Sequence, residues 1–280
     1  TMALAHVRLA PYSVLGSQLT LQRTIEMTGT QPSSSCMITD PAGMVFITDF
    51  GPGAAGGAAG AIYDFLGIRN AKAFPAPVRD AIKDVCDACY HKYVVQLDDG
   101  TSVERHCCHV VGPNFSEMYG RPPFPDQDGN VPEISPALET EAVGWLTQVY
   151  LNVMRQFVGS GLPHLRLLPV SGGIFAGMFK DVMPRLTFAA LDAAFAKLTP
   201  DESASIASRE EQPLIEMCIF EEAQLPAFAA ALDAQLGANN ASASGKREDP
   251  AVDAAPAAAE AAPADAPEPP TQLVAPPGDQ

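Results

Sequence analysis

The chain is short of positive charge and of long apolar runs. It carries 17 lysines and arginines against 33 aspartates and glutamates, a net charge of −16 over 280 residues. General nucleic-acid binders show a basic face, and membrane-surface proteins show polybasic segments, so the balance argues against both classes. No stretch approaches the roughly 18 consecutive apolar residues of a membrane span. Residues 1–25 contain Arg8 and Arg23 and no acid, yet lack the basic start, apolar core and cleavage site of a secretory signal. The expectation is an intracellular, cytoplasmic protein, with that segment a weak organelle-targeting candidate.

Six cysteines are present, and without a secretory signal they read as reduced thiols. Cys86-x-x-Cys89 followed by Cys107-Cys108-His109 resembles zinc-site spacing. The first pair lies in the helical-looking run PVRDAIKDVCDACYHKY, the second in a strand-like one, whereas structural zinc pairs sit on tight turns. Buried apolar thiols are the reading adopted, with no metal and no cofactor.

The C-terminal end is poor in core-forming residues. Residues 241–280 hold 13 alanines, 8 prolines and no aromatic side chain. Such a composition cannot bury enough surface to offset chain entropy, and its prolines break an alanine helix. Residues 1–236 are therefore read as the folded domain and 237–280 as a disordered tail. Length permits one large domain with a sizeable core.

The body alternates strand and helix patterns. MVFITDF (44–50) reads as a buried strand and GAIYDFLG (60–67) as a short helix ended by Gly67. YVVQL (93–97) and VERHCCHVV (103–111) read as a hairpin turning at Asp98-Asp99-Gly100. Residues 113–135 read as a long surface loop. Ser135-Pro136 then predicts a helix start, with Val143, Leu146, Tyr150, Val153 and Phe157 on its core face. LRLLPV (165–170) reads as a strand. Pro184 opens a helix bearing Leu186, Leu191, Phe195 and Leu198. PLIEMCIF (213–220) is the last strand and PAFAAALDAQL (226–236) the last helix. The alternation implies an α/β layered domain.

Two glycine-rich loops follow predicted strands. The first runs from Gly51 through Gly53, Gly56 and Gly57 to Gly60. Small residues let backbone approach a ligand, and N–H groups at a helix start suit phosphate. Gly51-x-Gly53-x-x-Gly56 also matches the dinucleotide fingerprint, but the segment some 20 residues on, FPAPVRD, shows no strand ending in an acid. A nicotinamide-dependent enzyme is thereby disfavoured. The second loop is Ser171-Gly172-Gly173-Ile174-Phe175-Ala176-Gly177. Two such loops can grip a diphosphate from both sides with backbone donors.

With these segments in view, the chain resembles the macro domain family, which binds ADP-ribose. LLPVSGGIFAG resembles the family's P-x-I-S-T-G-I-F strand and diphosphate loop. HVVGP (109–113) resembles its I-H-x-V-G-P strand end. AGGAAGAIYDFLG resembles its G-G-G-V-D-G-A-I-H helix start, and IEMCIFEEAQLPAFAAAL its last strand and helix. The likeness runs in order over about 44–236. It implies a three-layer α/β/α sandwich around a mixed sheet, with ADP-ribose or ADP-ribosylated protein as partner. It also implies ligand contacts from Asp49, Gly56, Gly57, Ala58, Ala59, Ile62, Ser171, Gly172, Gly173, Ile174 and Phe175. Phe220 would pack against adenine.

The chain departs from the family where hydrolytic members carry their chemistry. Counting back from Gly60, the Asn positions of the N-A-A-N motif fall on Phe46 and Asp49, and the family's catalytic Asp falls on Ala59. An ionised Asp only accepts hydrogen bonds, and an Ala moves no proton. Binding is thus the leading expectation. The alternatives are an ADP-ribosyl hydrolase using non-standard residues, with Asp49 as candidate base, or a degenerate fold acting as an interaction module. Lys180, Asp181 and His109 are read as non-catalytic.

Overall fold

Residues apolar on both faces are the mark of a central strand, because a sheet covered on two sides offers them no water. A computed structural model describes residues 3–120, 133–208 and 215–244. Its strands are β1 (Val7–Ala10), β2 (Ser17–Leu19), β3 (Ile25–Met27), β4 (Cys36–Ala42), β5 (Ala88–Gln96), β6 (Ser102–Val111), β7 (His164–Leu167) and β8 (Ile215–Cys218). Its helices are α1 (Gly57–Phe65), α2 (Ala76–Ala81), α3 (Phe115–Met118), α4 (Pro136–Ser160), α5 (Met183–Ala196), α6 (Pro200–Ala207) and α7 (Leu225–Ser244).

Six strands form one sheet in the order β1-β8-β7-β4-β6-β5. All neighbours are parallel except β5, which runs antiparallel to β6 at the edge. A separate hairpin of β2 and β3 touches the sheet through a bridge from Leu19 to Glu221. Alternation along the strands feeds a core on each face. Met37, Cys108 and Val110 join the core under α4, α5, α6 and α7. Ile38, Ala42, Cys107 and Val111 join the core under α1 and α2. The fold is therefore a three-layer α/β/α sandwich with a central mixed sheet.

Local signals hold at several ends. Ser135 caps α4, its hydroxyl accepting from the Leu138 N–H, and Gly161 closes it in the left-handed region at φ 69°. Leu146, Tyr150, Val153 and Phe157 are buried beneath this helix, with Val143 packed against them. The hairpin of β5 and β6 turns where Asp98-Asp99-Gly100 was expected to turn it, with Gly100 at φ 82°.

Three expectations are corrected. Residues 44–50 are not a strand. They coil into helical turns, with Val45 and Phe50 exposed, while Cys36–Ala42 takes the central place. Six of the seven β4 residues are buried, Asp40 among them because His109 on the neighbouring strand pairs with it, whereas Asp49 of the later run is exposed and meets only Thr48. The run from Pro77 is helical only as far as Ala81, because residues from Ala88 pair with β6 instead. The last helix continues to Ser244, eight residues past 236. The remainder of the expected tail, 245–280, lies outside the described residues, as does 121–132 of the expected surface loop.

Candidate functional site

In an open parallel sheet, ligands bind beyond the carboxyl ends of the strands. Here that edge presents, in sheet order, Phe220 after β8, the second glycine loop after β7, the first glycine loop after β4, and Gly112 after β6. Because β7 and β4 are hydrogen-bonded neighbours, the two glycine loops rise from adjacent strands.

The first loop leaves β4 at Gly43, makes two helical turns and reaches the start of α1. Gly56 is the N-cap residue and carries no side chain to satisfy the first turn. The N–H groups of Gly57, Ala58 and Ala59 are thus open donors at the positive end of the helix. A Cβ added at Gly56 or Gly57 would meet nothing within 4 Å, and Gly56, Gly57 and Ala58 are exposed. Gly57 additionally needs its positive φ of 55°. The side chains of Ala59 and Ile62 differ: both face the core under α1, Ile62 at 1% exposure.

The second loop is held more tightly. Ser171 is buried, sits at φ 60° and donates its hydroxyl to the Pro113 carbonyl at 2.7 Å. Gly172 donates to Pro169, and a Cβ there would stand 2.9 Å from that carbonyl oxygen. Gly173 faces open space, and Ile174 is 89% exposed. Among the described residues, the N–H groups of Gly173, Ile174 and Phe175 have no hydrogen-bond partner. Successive free N–H groups on one loop make an anion-binding nest.

Phe220 stands two residues past the β8 end, partly exposed, with its carbonyl accepting from the Leu19 N–H at 2.8 Å. Asp49 is exposed on the helical turn before the first loop and accepts from the Thr48 hydroxyl at 2.9 Å. Phe46 and Asp49, where the count back from Gly60 set the Asn positions, lie on this helical turn and not on a strand. Lys180 and Asp181 are exposed charges beyond the loop.

Beneath the site runs a buried polar chain the sequence reading missed. His109, on β6, pairs its Nδ1 with Asp40 Oδ2 at 2.6 Å and its Nε2 with the Tyr93 hydroxyl at 2.7 Å. A carboxylate only accepts, so Nδ1 carries the proton. Asp40 Oδ1 and the Tyr63 hydroxyl are buried nearby, neither within hydrogen-bond geometry of a partner among the described residues. Burial, followed by the Asp40 charge, pushes the Tyr63 phenol up. The available signal was an Asp inside the apolar run CMITDPA, which a single count from Gly60 overlooked.

A cavity of about 220 Å³ lies at the opposite, amino ends of the strands, among Arg8, Thr30, Cys36, His164, Arg166 and Glu216. Its charges are spent on one another. Glu216 pairs with Arg8, with Arg166 Nε at 2.8 Å, and with the Tyr12 hydroxyl. Arg166 also donates to the carbonyls of Val14 and Thr30, which ties the β2–β3 hairpin region to the sheet. This cluster is an anchor on the far side from the glycine loops.

The cysteines divide between the two faces of the sheet. Cys86 and Cys108 lie in the core under α4, while Cys89 and Cys107 lie under α1 and α2. Four thiols split across a sheet cannot surround one ion. All six are free and buried. Burial raises the Cys36 thiol to about 12 and the Cys86 thiol to about 11, far from the reactive thiolate range.

No protein-family profile matches the chain, and no curated protein matches it. Among solved structures, it is similar to a Trypanosoma brucei macrodomain in complex with ADP, at 12% identity and TM-score 0.41, covering 79% of each chain. It is similar to the same organism's macrodomain in complex with ADP-ribose, at 13% identity and TM-score 0.36, covering 78% of each. It is also similar to an Oceanobacillus iheyensis macrodomain mutant, at 14% identity and TM-score 0.41, over 73% of this chain and 87% of that one. These three structures are macrodomains.

Proposed function

We propose that the chain is a macro-type domain that binds ADP-ribose, free or attached to protein. One observation carries the reading. Two rows of backbone N–H groups without a partner among the described residues stand at the carboxyl ends of adjacent parallel strands, and each row holds a glycine, Gly56 or Gly173, with open space where a Cβ would be. At Gly56 and Gly173 the free protein has room for a Cβ, so the missing atom makes sense as space kept for a ligand. Ser171 and Gly172 shape the second loop from within. Phe220, on the neighbouring strand end, is the surface offered to a flat base. Binding is preferred to hydrolysis because Ala59 has no proton to move and Asp49 is an exposed carboxylate paired with Thr48.

Calorimetric titration with ADP-ribose, ADP, NAD and AMP in parallel tests the reading. Saturable binding of ADP-ribose is expected. Gly56→Ala and Gly173→Ala should leave unfolding unchanged within about 0.5 kcal/mol while weakening ADP-ribose about tenfold or more. Absence of binding to all four compounds would sink the proposal.

A further inference from the structure

Two side chains outside the glycine loops hold a carbonyl of each loop, and the consequence falls on the next N–H. Arg69 Nη1 donates to the carbonyl of Ala55 and to that of Pro52, the latter at 3.2 Å. Ser116 donates its hydroxyl to the carbonyl of Ile174 at 2.8 Å. A trans peptide is planar, so its C=O and the following N–H point in opposite directions. Holding the Ala55 carbonyl therefore turns the Gly56 N–H away from Arg69. Holding the Ile174 carbonyl turns the Phe175 N–H away from Ser116. Neither N–H has a partner among the described residues.

A glycine makes room beside each anchor. A Cβ at Gly60 would stand 2.9 Å from the Ala55 oxygen and 3.0 Å from Arg69 Nη1. A Cβ at Gly177 would stand 2.8 Å from the Ser116 backbone nitrogen. These glycines have different work from Gly56 and Gly173, which face open space. They let the anchors in.

We propose that Arg69 and Ser116 are positioning residues of the anion cradle, each orienting one loop N–H toward the ligand through a fixed carbonyl. The proposal rests on the binding reading above. It assigns Arg69 no ligand contact: its guanidinium acts on the backbone, so a part of its effect on affinity survives charge screening. Preorganised donors bind an anion without a reorganisation cost at the moment of binding.

Titrations of wild type, Arg69→Ala, Ser116→Ala and Ser116→Thr with ADP-ribose and with inorganic pyrophosphate test it. Ser116→Ala should weaken both ligands by about 5- to 10-fold, the range of one lost hydrogen bond. Ser116→Thr keeps the hydroxyl and should restore binding. The loss in Arg69→Ala should persist at high salt, because screening weakens the contribution of the removed charge and spares a positioning effect. A loss that disappears at high salt, or Ser116→Ala binding like wild type, overturns the proposal. If wild type binds neither ligand, the binding reading has failed, and amide resonances decide the positioning by themselves. The Phe175 amide must shift in Ser116→Ala and the Gly56 amide in Arg69→Ala. Unmoved resonances overturn it.

Discussion

Asp40 and His109 are register partners on two adjacent parallel strands, and their side chains meet at 2.6 Å with neither exposed. Tyr93 closes the chain on the other ring nitrogen, while Tyr63 and Phe74 pack against the imidazole. Each member lies three residues before a glycine at its strand end, Asp40 before Gly43 and His109 before Gly112, so the pair sets the spacing of β4 and β6 just below the candidate site. A buried charged or polar pair of this kind is stable only while both members are present.

Removing one member should therefore cost far more than an ordinary core truncation of the same size. His109→Ala is expected to lose about 3–5 kcal/mol in urea unfolding, since Asp40 is left buried and unpaired. The double change Asp40→Leu with His109→Leu should recover a large part of that loss. A single-variant loss below about 1 kcal/mol would show that the pair is not held as described.

Glu216 gives the fold an acid-sensitive anchor. Burial pushes its carboxyl up, but the hydrogen bonds and charges of Arg8 and Arg166 outweigh this and hold it below its usual 4.5. A carboxyl whose pKa is lower in the folded state contributes stability above its unfolded value and loses it as pH falls. The stability gap between wild type and Glu216→Gln should thus be widest near neutrality and narrow progressively below about pH 4.5. Urea midpoints across that pH range check it, and a gap that stays constant would count against the anchor.

The thiols provide a direct test of the core. With all six buried, and burial pushing those of Cys36, Cys107, Cys108 and Cys218 upward, the native protein should not react with a thiol-specific disulfide reagent at neutral pH. All six should react once the chain is unfolded. Rapid reaction of even one thiol in the native state would mean that a face of the sheet is open.

Legibility followed the range of the signal. The capped start of α4, the turn at Gly100 and the helix after the first glycine loop were readable because each rests on residues near in sequence. The strand at 44–50 failed because MVFITDF and CMITDPA are both apolar runs, and composition does not say which fits between β6 and β7. The N-terminal strands β1 to β3 went unread because they are short, and β3 is exposed throughout. Of the candidate site, the two loops were visible as glycine clusters. Their anchors were not, since Arg69 and Ser116 act on carbonyls 14 and 58 residues away.

Sequence alone determined the layered α/β class, the buried thiols and the two glycine-rich loops, because periodicity, composition and glycine clustering are local properties. Only the tertiary structure decided which run became the central strand, that Ile62 faces the core, that Asp40 meets His109, and which glycines stand in open space. Those outcomes depend on what lies across the sheet from each residue, and pairing between distant segments is set by burial on both faces at once.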